Sequence, residues 1–192
     1  MCGSITRDMQ IFDDLSDPKI AQLLANGAVG VIRTDTLYGI VCDAKNEQSV
    51  LRIYELKWRD EKKSPIVLVA THDQLFDIPN YMERKVLNNV WPGPVSVVLE
   101  SSDAPFWIKR SNDSVAYRMP AVEALQELIA TTGPLIAPSA NPQGCAPATT
   151  TEEAADYFGE NIDFYVNGGH VTDAQSSQLL RLMESGEVEY LR

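Results

Sequence analysis

Apolar residues recur along the chain in two alternating patterns, one typical of helices and the other of buried strands. Apolar positions three and four residues apart predict helices at 17–26, 46–58, 74–76, 82–90, 122–131 and 151–158. Short continuous aliphatic runs predict strands at 28–32, 66–70, 95–99, 114–118, 135–138 and 162–166. Two predicted loops, at 34–39 and 139–147, each follow a strand directly.

This alternation predicts an α/β fold with a twisted, open sheet of mixed parallel and antiparallel strands, because several strands are close enough along the chain to pair antiparallel. The 192 residues are 44% hydrophobic, which suits a single domain over 1–192. No apolar run approaches the roughly 18–20 residues of a membrane helix. The first ten residues lack the apolar segment of a secretory signal. We therefore expect a cytoplasmic protein without a membrane partner.

The net charge and the cysteine content disfavour several classes of function. A net charge of −11 disfavours a general nucleic-acid binder, so we expect direct RNA binding to be weak or absent. It does not disfavour a small anionic ligand held in a focused pocket. Cys2, Cys42 and Cys145 are too few and too widely spaced for a disulfide framework, and His72 and His170 complete no metal-binding pattern. We expect buried or incidental thiols and no metal bound by the protein itself.

Polar groups cluster in two segments near the N-terminal half of the chain. Residues 33–39 follow a predicted strand and present two threonine hydroxyls and an aspartate, although an ordinary turn would look the same. Residues 57–63 hold four cations at the end of a predicted helix. The helix dipole favours cations there without any function, and a phosphate clamp is the equally weighted alternative.

Two further segments carry comparable alternatives. Arg118 lies on a predicted strand, where a buried guanidinium needs an anionic partner. That partner is either an internal carboxylate or the carboxylate of a substrate. Residues 138–144 are small and polar with a glycine, so their backbone amides can approach a phosphate. They match neither the Walker pattern nor GxGxxG.

In their order and spacing these segments resemble the YrdC/TsaC family over roughly residues 20 to 180. The resemblance rests on five motifs in register: 33–39, Lys57-Trp58-Arg59 with Ser64-Pro65, 91–96, 115–120, and Ser139-Ala140-Asn141 with Gly144. The chain also departs from the family pattern, since Arg33 replaces the opening proline and Gln143 replaces a frequent serine. Near the C-terminus, Ser176-Ser177 replaces the ST pair of the family, and the glycine usual after the final arginine is missing.

The resemblance implies a YrdC-like domain with a deep concave cavity and a defined reaction. L-threonine, bicarbonate or CO2, and ATP with Mg²⁺ would give L-threonylcarbamoyl-AMP and pyrophosphate. A transferase complex would then carry the threonylcarbamoyl group to tRNA. The alternative is a YrdC-like paralogue that binds nucleotide or RNA without synthase activity.

The same resemblance implies which residues form the site. The catalytic pair would be Lys57 and Arg59. The ATP-binding set would be Lys57, Arg59, Ser64, Ser114, Ser139 and Asn141. The threonine-binding set would be Thr36, Arg118, Ser176 and Ser177.

Overall fold

A computed structural model describes residues 9–173 and 175–192, which form ten strands in one mixed sheet. The strands are β1 Gln10–Phe12, β2 Gly30–Arg33, β3 Tyr38–Asp43, β4 Ile66–Leu68, β5 Val95–Glu100, β6 Ser114–Arg118, β7 Leu135–Ile136, β8 Phe164–Val166, β9 Gln178–Leu182 and β10 Val188–Tyr190. The α-helices are α1 Pro18–Ala25, α2 Glu47–Lys57, α3 Tyr81–Val90, α4 Phe106–Lys109, α5 Glu123–Thr132 and α6 Thr151–Phe158. Two short 3-10 helices cover His72–Gln74 and Gly159–Asn161.

The strand order is β1-β8-β2-β3-β7-β4-β6-β5-β9-β10. Neighbouring strands pair in both directions: β4 lies parallel to β6, for example, whereas β5 lies antiparallel to β6. This confirms the predicted mixed α/β sheet.

Several elements differ from those predicted. The segment 34–39 was expected to be a loop throughout, but its last two residues already belong to β3, whose first four residues pair with β2. The helix expected at 74–76 is instead the 3-10 turn at His72–Gln74. Strand β3 as a whole was not predicted as a strand. The short helix α4 and the three short strands β1, β9 and β10 were not predicted either. These strands are three to five residues long, and all three form through partners that are distant in sequence or lie on the sheet edge.

Adjacent residues along a strand point to opposite faces of the sheet, and two hydrophobic clusters fill those faces. In β2, Val31 belongs to one cluster and Ile32 to the other. Helices α1 and α5 pack together over one face through residues such as Leu24 and Ile129. Helix α2 packs on the other face through Ile53. Both faces of the central strands are therefore buried, and the polar groups concentrate in the loops at the strand ends.

Helix α2 delivers a cation to one of those loops. Its first turn is capped by the Asn46 side chain, which accepts a hydrogen bond from the backbone N–H of Ser49 at 3.1 Å. It ends at Trp58, whose φ of 49° lies in the left-handed region and turns the chain out of the helix. The helix thus ends with Lys57 pointing into the protein and Arg59 placed beyond the turn.

Lys57 is 4% exposed, and its ammonium group donates hydrogen bonds to the backbone carbonyl oxygens of Ser139 and Asn141. The backbone N–H of Gln143 donates in return to the carbonyl of Lys57 at 2.7 Å. No carboxylate among the described residues forms an ion pair with Lys57. Burial, reinforced by the nearby charge of Arg59, lowers the pKa of Lys57 to about 7.

The structure also bears on the cysteines, on clusters of metal-ligand side chains and on membrane-spanning helices. Cys42 is buried and Cys145 exposed, and neither is in a disulfide, while Cys2 lies outside the described residues. Within 9–173 and 175–192 no group of three or more His, Cys, Asp or Glu side chains is arranged to hold a metal ion. No helix in that part of the chain has the length and apolarity needed to cross a membrane.

The lowered pKa predicts a specific pH dependence of stability. Between about pH 7 and the ordinary lysine pKa of 10.5, the unfolded chain holds a proton on Lys57 that the folded protein has released. Because the unfolded state then binds more protons, stability rises with pH across this window, and the cost of burying Lys57 is largest below pH 7.

We therefore expect the free energy of unfolding of the natural protein, relative to the variant Lys57→Met, to increase from pH 6.5 to pH 9.5. Urea denaturation at several pH values measures the difference. Lys19→Met, at an exposed position of α1, serves as the matched control and should show a much flatter difference. A Lys57→Met difference that does not change with pH would contradict the assignment.

Candidate functional site

A concave cavity opens where several chain segments meet near the centre of the sheet. Its enclosed volume is about 170 Å³. It is lined by the turn after β2, the start of β3, the residue beyond α2, the last residue of β6, the loop after β7 and the C-terminal segments. The lining residues are Thr34, Thr36, Leu37, Tyr38, Gly39, Arg59, Ile66, Arg118, Ala137, Pro138, Ser139, Ser176, Ser177 and Arg192.

Arg118 supplies positive charge at the base of this cavity. It is 3% exposed, and its Nη2 lies 3.3 Å from Asp35 Oδ1 and 3.3 Å from the hydroxyl of Thr34. The internal carboxylate that the sequence left open is therefore present. It satisfies the guanidinium only in part, because Arg118 Nε is buried without a hydrogen-bond partner among the described residues. Because Arg118 lines the cavity, a terminal guanidinium nitrogen, rather than the buried Nε, would be the donor to an anion there.

The turn after β2 places hydroxyl groups beside this guanidinium. Thr34 donates to the carbonyl of Leu37 at 2.7 Å, and its oxygen lies 3.2 Å from the hydroxyl of Thr36. Asp35 also accepts a hydrogen bond from the backbone N–H of Ala121, at 3.4 Å. Thr36 was predicted as a site residue. Thr34 was not, although the strand-end position of its motif was the available signal.

The segment before β9 forms the opposite wall. Ser177 is 3% exposed, and its hydroxyl lies 2.8 Å from that of Ser96, whereas Ser176 is exposed. Arg192 donates to the carbonyl of Ser177 at 3.3 Å and also lines the cavity. Sequence reasoning missed Arg192, because only the pairing of β9 with β10 brings the chain end back to this wall.

The predicted ATP-binding residues divide into two groups. Arg59 and Ser139 line the cavity, and Arg59 is held by donating to the carbonyl of Ser64 at 2.9 Å. The Ser139 hydroxyl donates to Asn141 Oδ1 at 2.6 Å, which orients the loop after β7. Asn141 in turn donates to the carbonyl of Cys145 at 2.8 Å, so its amide is occupied by the loop itself.

Three predicted ATP-binding residues are directed elsewhere. The Lys57 ammonium bonds two backbone carbonyls, as described above. The Ser64 hydroxyl donates to the carbonyl of Lys109 at 2.9 Å and accepts from the Asn112 amide at 3.0 Å. Ser114 is the first residue of β6, four positions before Arg118, and it lines a separate concavity on the sheet. For these residues, and for Asn141, a contact with ATP stays a prediction.

A larger cavity of about 560 Å³ lies on the far side of the turn after β2. Its walls include the carboxylates of Asp13, Asp14 and Asp35. Arg33 lies in this cavity and donates to the carbonyl of Gly168 at 2.6 Å, so its charge is on the far side of the turn. The smaller cavity is the better candidate site for an anionic ligand, because its guanidinium groups converge with hydroxyls and a loop of small residues.

Comparisons with known proteins fit this geometry. Residues 22–192 match the model of the Sua5/YciO/YrdC family, described as telomere recombination. A threonylcarbamoyl-AMP synthase of Pseudomonas paraeruginosa is 36% identical over 174 residues, which cover 88% of this chain and 92% of the relative. A threonylcarbamoyl-AMP synthase of Stutzerimonas stutzeri is 33% identical, with coverages of 88% and 94%.

Solved structures have the same fold. The crystal structure of P. abyssi Sua5 complexed with L-threonine superposes with a TM-score of 0.81 at 28% identity, covering 91% of this chain and 54% of Sua5. The crystal structure of E. coli YciO superposes with a TM-score of 0.81 at 16% identity, covering 96% of this chain and 93% of YciO, which supports the fold alone. The match over residues 22–192, together with relatives more than 30% identical over most of their length, establishes that the chain belongs to the Sua5/YciO/YrdC family.

Proposed function

We propose that the chain is an L-threonylcarbamoyl-AMP synthase that supplies the activated intermediate for threonylcarbamoyladenosine modification of tRNA. The observation that carries the proposal is the single cavity with two kinds of group on its walls. Arg118 and the threonine hydroxyls suit an amino acid, and Arg59 and Ser139 suit a nucleotide phosphate. Relatives that cover most of this chain are named for the same activity.

The enclosed volume suggests how the two substrates divide the site. At about 170 Å³, it lies below the roughly 300–1,000 Å³ of typical small-molecule pockets. An amino acid fits such a space, and a whole nucleotide does not. We place L-threonine in the enclosed part, with its carboxylate on a terminal nitrogen of Arg118 and its hydroxyl near Thr36 or Ser177. The Sua5 protein of P. abyssi has been crystallised with L-threonine, which supports this choice of ligand.

ATP would then lie across the open side, with its phosphates near Arg59 and Arg192. Bicarbonate or CO2 first joins the threonine amine to form a carbamate, with release of water in the case of bicarbonate. A carbamate oxygen then attacks the α-phosphorus of ATP, the bond to the β-phosphate oxygen breaks, and pyrophosphate leaves. No protein nucleophile is needed, since positioning and charge neutralisation lower the barrier in such a step.

Mg²⁺ belongs to this proposal as the ion that accompanies ATP. Mg²⁺ is usually bound by phosphate oxygens and water together with one or two carboxylates, rather than by a dedicated protein cage. Its positive charge would stabilise the leaving pyrophosphate.

The second candidate is a family member that binds nucleotide or RNA without making the adenylate. The net charge of −11 favours the synthase over an RNA-binding module, because a polyanion is repelled unless cations are concentrated locally. A transferase complex acting on tRNA would be the partner that receives the product. We expect no stable complex between this chain and tRNA alone.

Removing Arg59 tests the nucleotide half of the site. We expect Arg59→Ala to weaken binding of a non-hydrolysable ATP analogue by about 2 kcal/mol, because a charge-assisted hydrogen bond is lost. Calorimetric titration measures the change. Lys85→Ala removes an equal charge from an exposed position of α3 and should bind the analogue normally. Equal affinity of Arg59→Ala and the natural protein would contradict the assignment.

Competing amino acids test both the reaction and the threonine subsite. With ATP and bicarbonate, pyrophosphate release should be fastest with threonine. Serine lacks only one methyl group, so its kcat/KM should be lower than that of threonine by a factor that corresponds to about 1 kcal/mol. Valine is nearly isosteric but lacks the hydroxyl, so it should be slower than threonine by at least about a hundredfold. Valine turned over as fast as threonine would exclude a hydroxyl-binding subsite, and no release with any amino acid would exclude the synthase.

Arg118→Lys tests the carboxylate partner. The lysine ammonium keeps the positive charge but cannot reproduce the planar guanidinium fork. It would also be drawn to the Asp35 carboxylate that pairs with Arg118 in the natural protein. We expect kcat/KM for threonine to fall by at least about a hundredfold, which corresponds to loss of a charge-assisted pair. ATP-analogue affinity measured on the same variant is the control and should change little. Full activity of Arg118→Lys would show that the carboxylate binds elsewhere.

A further inference from the structure

The turn after α4 holds an arginine in a backbone conformation that non-glycine residues rarely adopt. Arg110 has φ 57° and ψ −125°, and its backbone N–H donates to the carbonyl of Phe106 at 2.7 Å. The Cβ of any residue other than glycine makes this backbone conformation unfavourable, so the surrounding structure must hold Arg110 in it. Strained positions of this kind cluster at functional sites.

The Arg110 guanidinium lies over an aromatic ring, and its side chain has no other polar partner among the described residues. Its central carbon is 4.0 Å from the centroid of the Tyr54 ring, within the range of a cation–π interaction. Arg110 Nε is buried without a hydrogen-bond partner, and the side chain forms no ion pair or hydrogen bond with another described residue. The stacking orients the guanidinium, and its terminal nitrogens, rather than the buried Nε, are the donors that a ligand can reach.

Arg59, which lines the central cavity, shares that ring. Its guanidinium carbon is 5.8 Å from the Tyr54 centroid, so the two guanidinium carbons are at most about 10 Å apart. No carboxylate forms an ion pair with either arginine within 9–173 and 175–192. Two guanidinium groups this close lie within one Debye length, about 10 Å at 0.1 M salt, so their repulsion is only partly screened. An anion bound between or beside them would offset this repulsion.

Hydrogen bonds fix the Arg110 turn to the loop that follows Arg59. The Ser64 hydroxyl donates to the carbonyl of Lys109 at 2.9 Å. The Asn112 amide donates to the carbonyl of Lys62, also at 2.9 Å. The distance between the two arginines is therefore set by a hydrogen-bonded frame and not by two independent loops.

We propose that Arg110 and Arg59 together bind the β- and γ-phosphates of ATP and the pyrophosphate formed from them. A pair of preoriented guanidinium groups with no carboxylate partner among the described residues matches a polyphosphate better than a single phosphate, since each fork can engage a separate phosphate group. Arg59 would bind nearer the cavity and Arg110 farther out. The inference rests on the nucleotide site proposed above and extends it to a residue outside the cavity lining.

Arg110→Gly is the informative variant, because glycine adopts the backbone conformation of this position freely. We expect it to raise the melting temperature while weakening both ATP and inorganic pyrophosphate by about tenfold, the loss of one partly exposed charge-assisted contact. AMP and threonine affinities should not change. The affinities of Arg110→Lys for ATP and pyrophosphate should lie between those of the natural protein and those of Arg110→Gly, because lysine keeps the charge and loses the guanidinium fork. Calorimetric titration with each ligand and a thermal melt of each variant give these values.

The controls separate this inference from a diffuse charge effect and from the proposed function. Lys62→Ala removes a neighbouring exposed cation, and an equal loss of pyrophosphate affinity there would overturn a specific contact by Arg110. Unchanged ATP and pyrophosphate binding in Arg110→Gly, or an equal loss for AMP, would also overturn it. If Arg59→Ala weakens ATP while Arg110→Gly does not, only this inference fails. If the natural protein binds no ATP, both fail.

Discussion

The cost of burying positive charge constrains this structure more than any other interaction. Lys57 and Arg118 are 4% and 3% exposed, and a cation removed from water needs an anion or several oxygen atoms around it. Lys57 takes the backbone carbonyls of Ser139 and Asn141, and Arg118 takes Asp35. Each contact ties the end of a helix or strand to a loop from elsewhere in the sequence. The cavity walls are therefore positioned by the oxygen atoms that these two cations require.

The two cations are satisfied to different degrees, and the difference matters for function. Lys57 has no carboxylate partner among the described residues, burial lowers its pKa, and its ammonium bonds two carbonyls of the loop after β7. Arg118 has a carboxylate on one side and a buried Nε without a hydrogen bond on the other. An anionic ligand would complete the shell of Arg118. A chain with a net charge of −11 thus presents a locally positive cavity.

Sequence reasoning predicted the elements whose pattern is local. Helix α2 is an example, since Asn46 and the spacing of its apolar residues lie within one segment. The meeting of the turn after β2, the residue beyond α2 and the loop after β7 was implied by the family resemblance and is present. Strands β9 and β10 were missed because their pairing and not their composition makes them strands. Arg192 was missed with them, since it reaches the cavity only through that pairing.

Side-chain direction was the other quantity that the sequence did not supply. Lys57 and Arg59 are two residues apart in one motif, yet one bonds backbone carbonyls and the other lines the cavity, because the left-handed turn at Trp58 separates them. Motif spacing places both residues at the end of α2 but does not determine which way each side chain turns. The sequence did not determine the partner of Arg118 either. A buried guanidinium needs an anion, and an internal carboxylate and a substrate carboxylate both meet that need.

The central claim is that the cavity holds the amino acid while the nucleotide lies across its open side, so that both substrates share one site. A crystal structure of the protein with L-threonine and a non-hydrolysable ATP analogue tests it most directly. The account predicts the threonine carboxylate on Arg118 and the nucleotide phosphates beside Arg59, with the amine of threonine facing the α-phosphate. Threonine in the larger cavity beside Arg33, or a nucleotide bound away from Arg59, would contradict it.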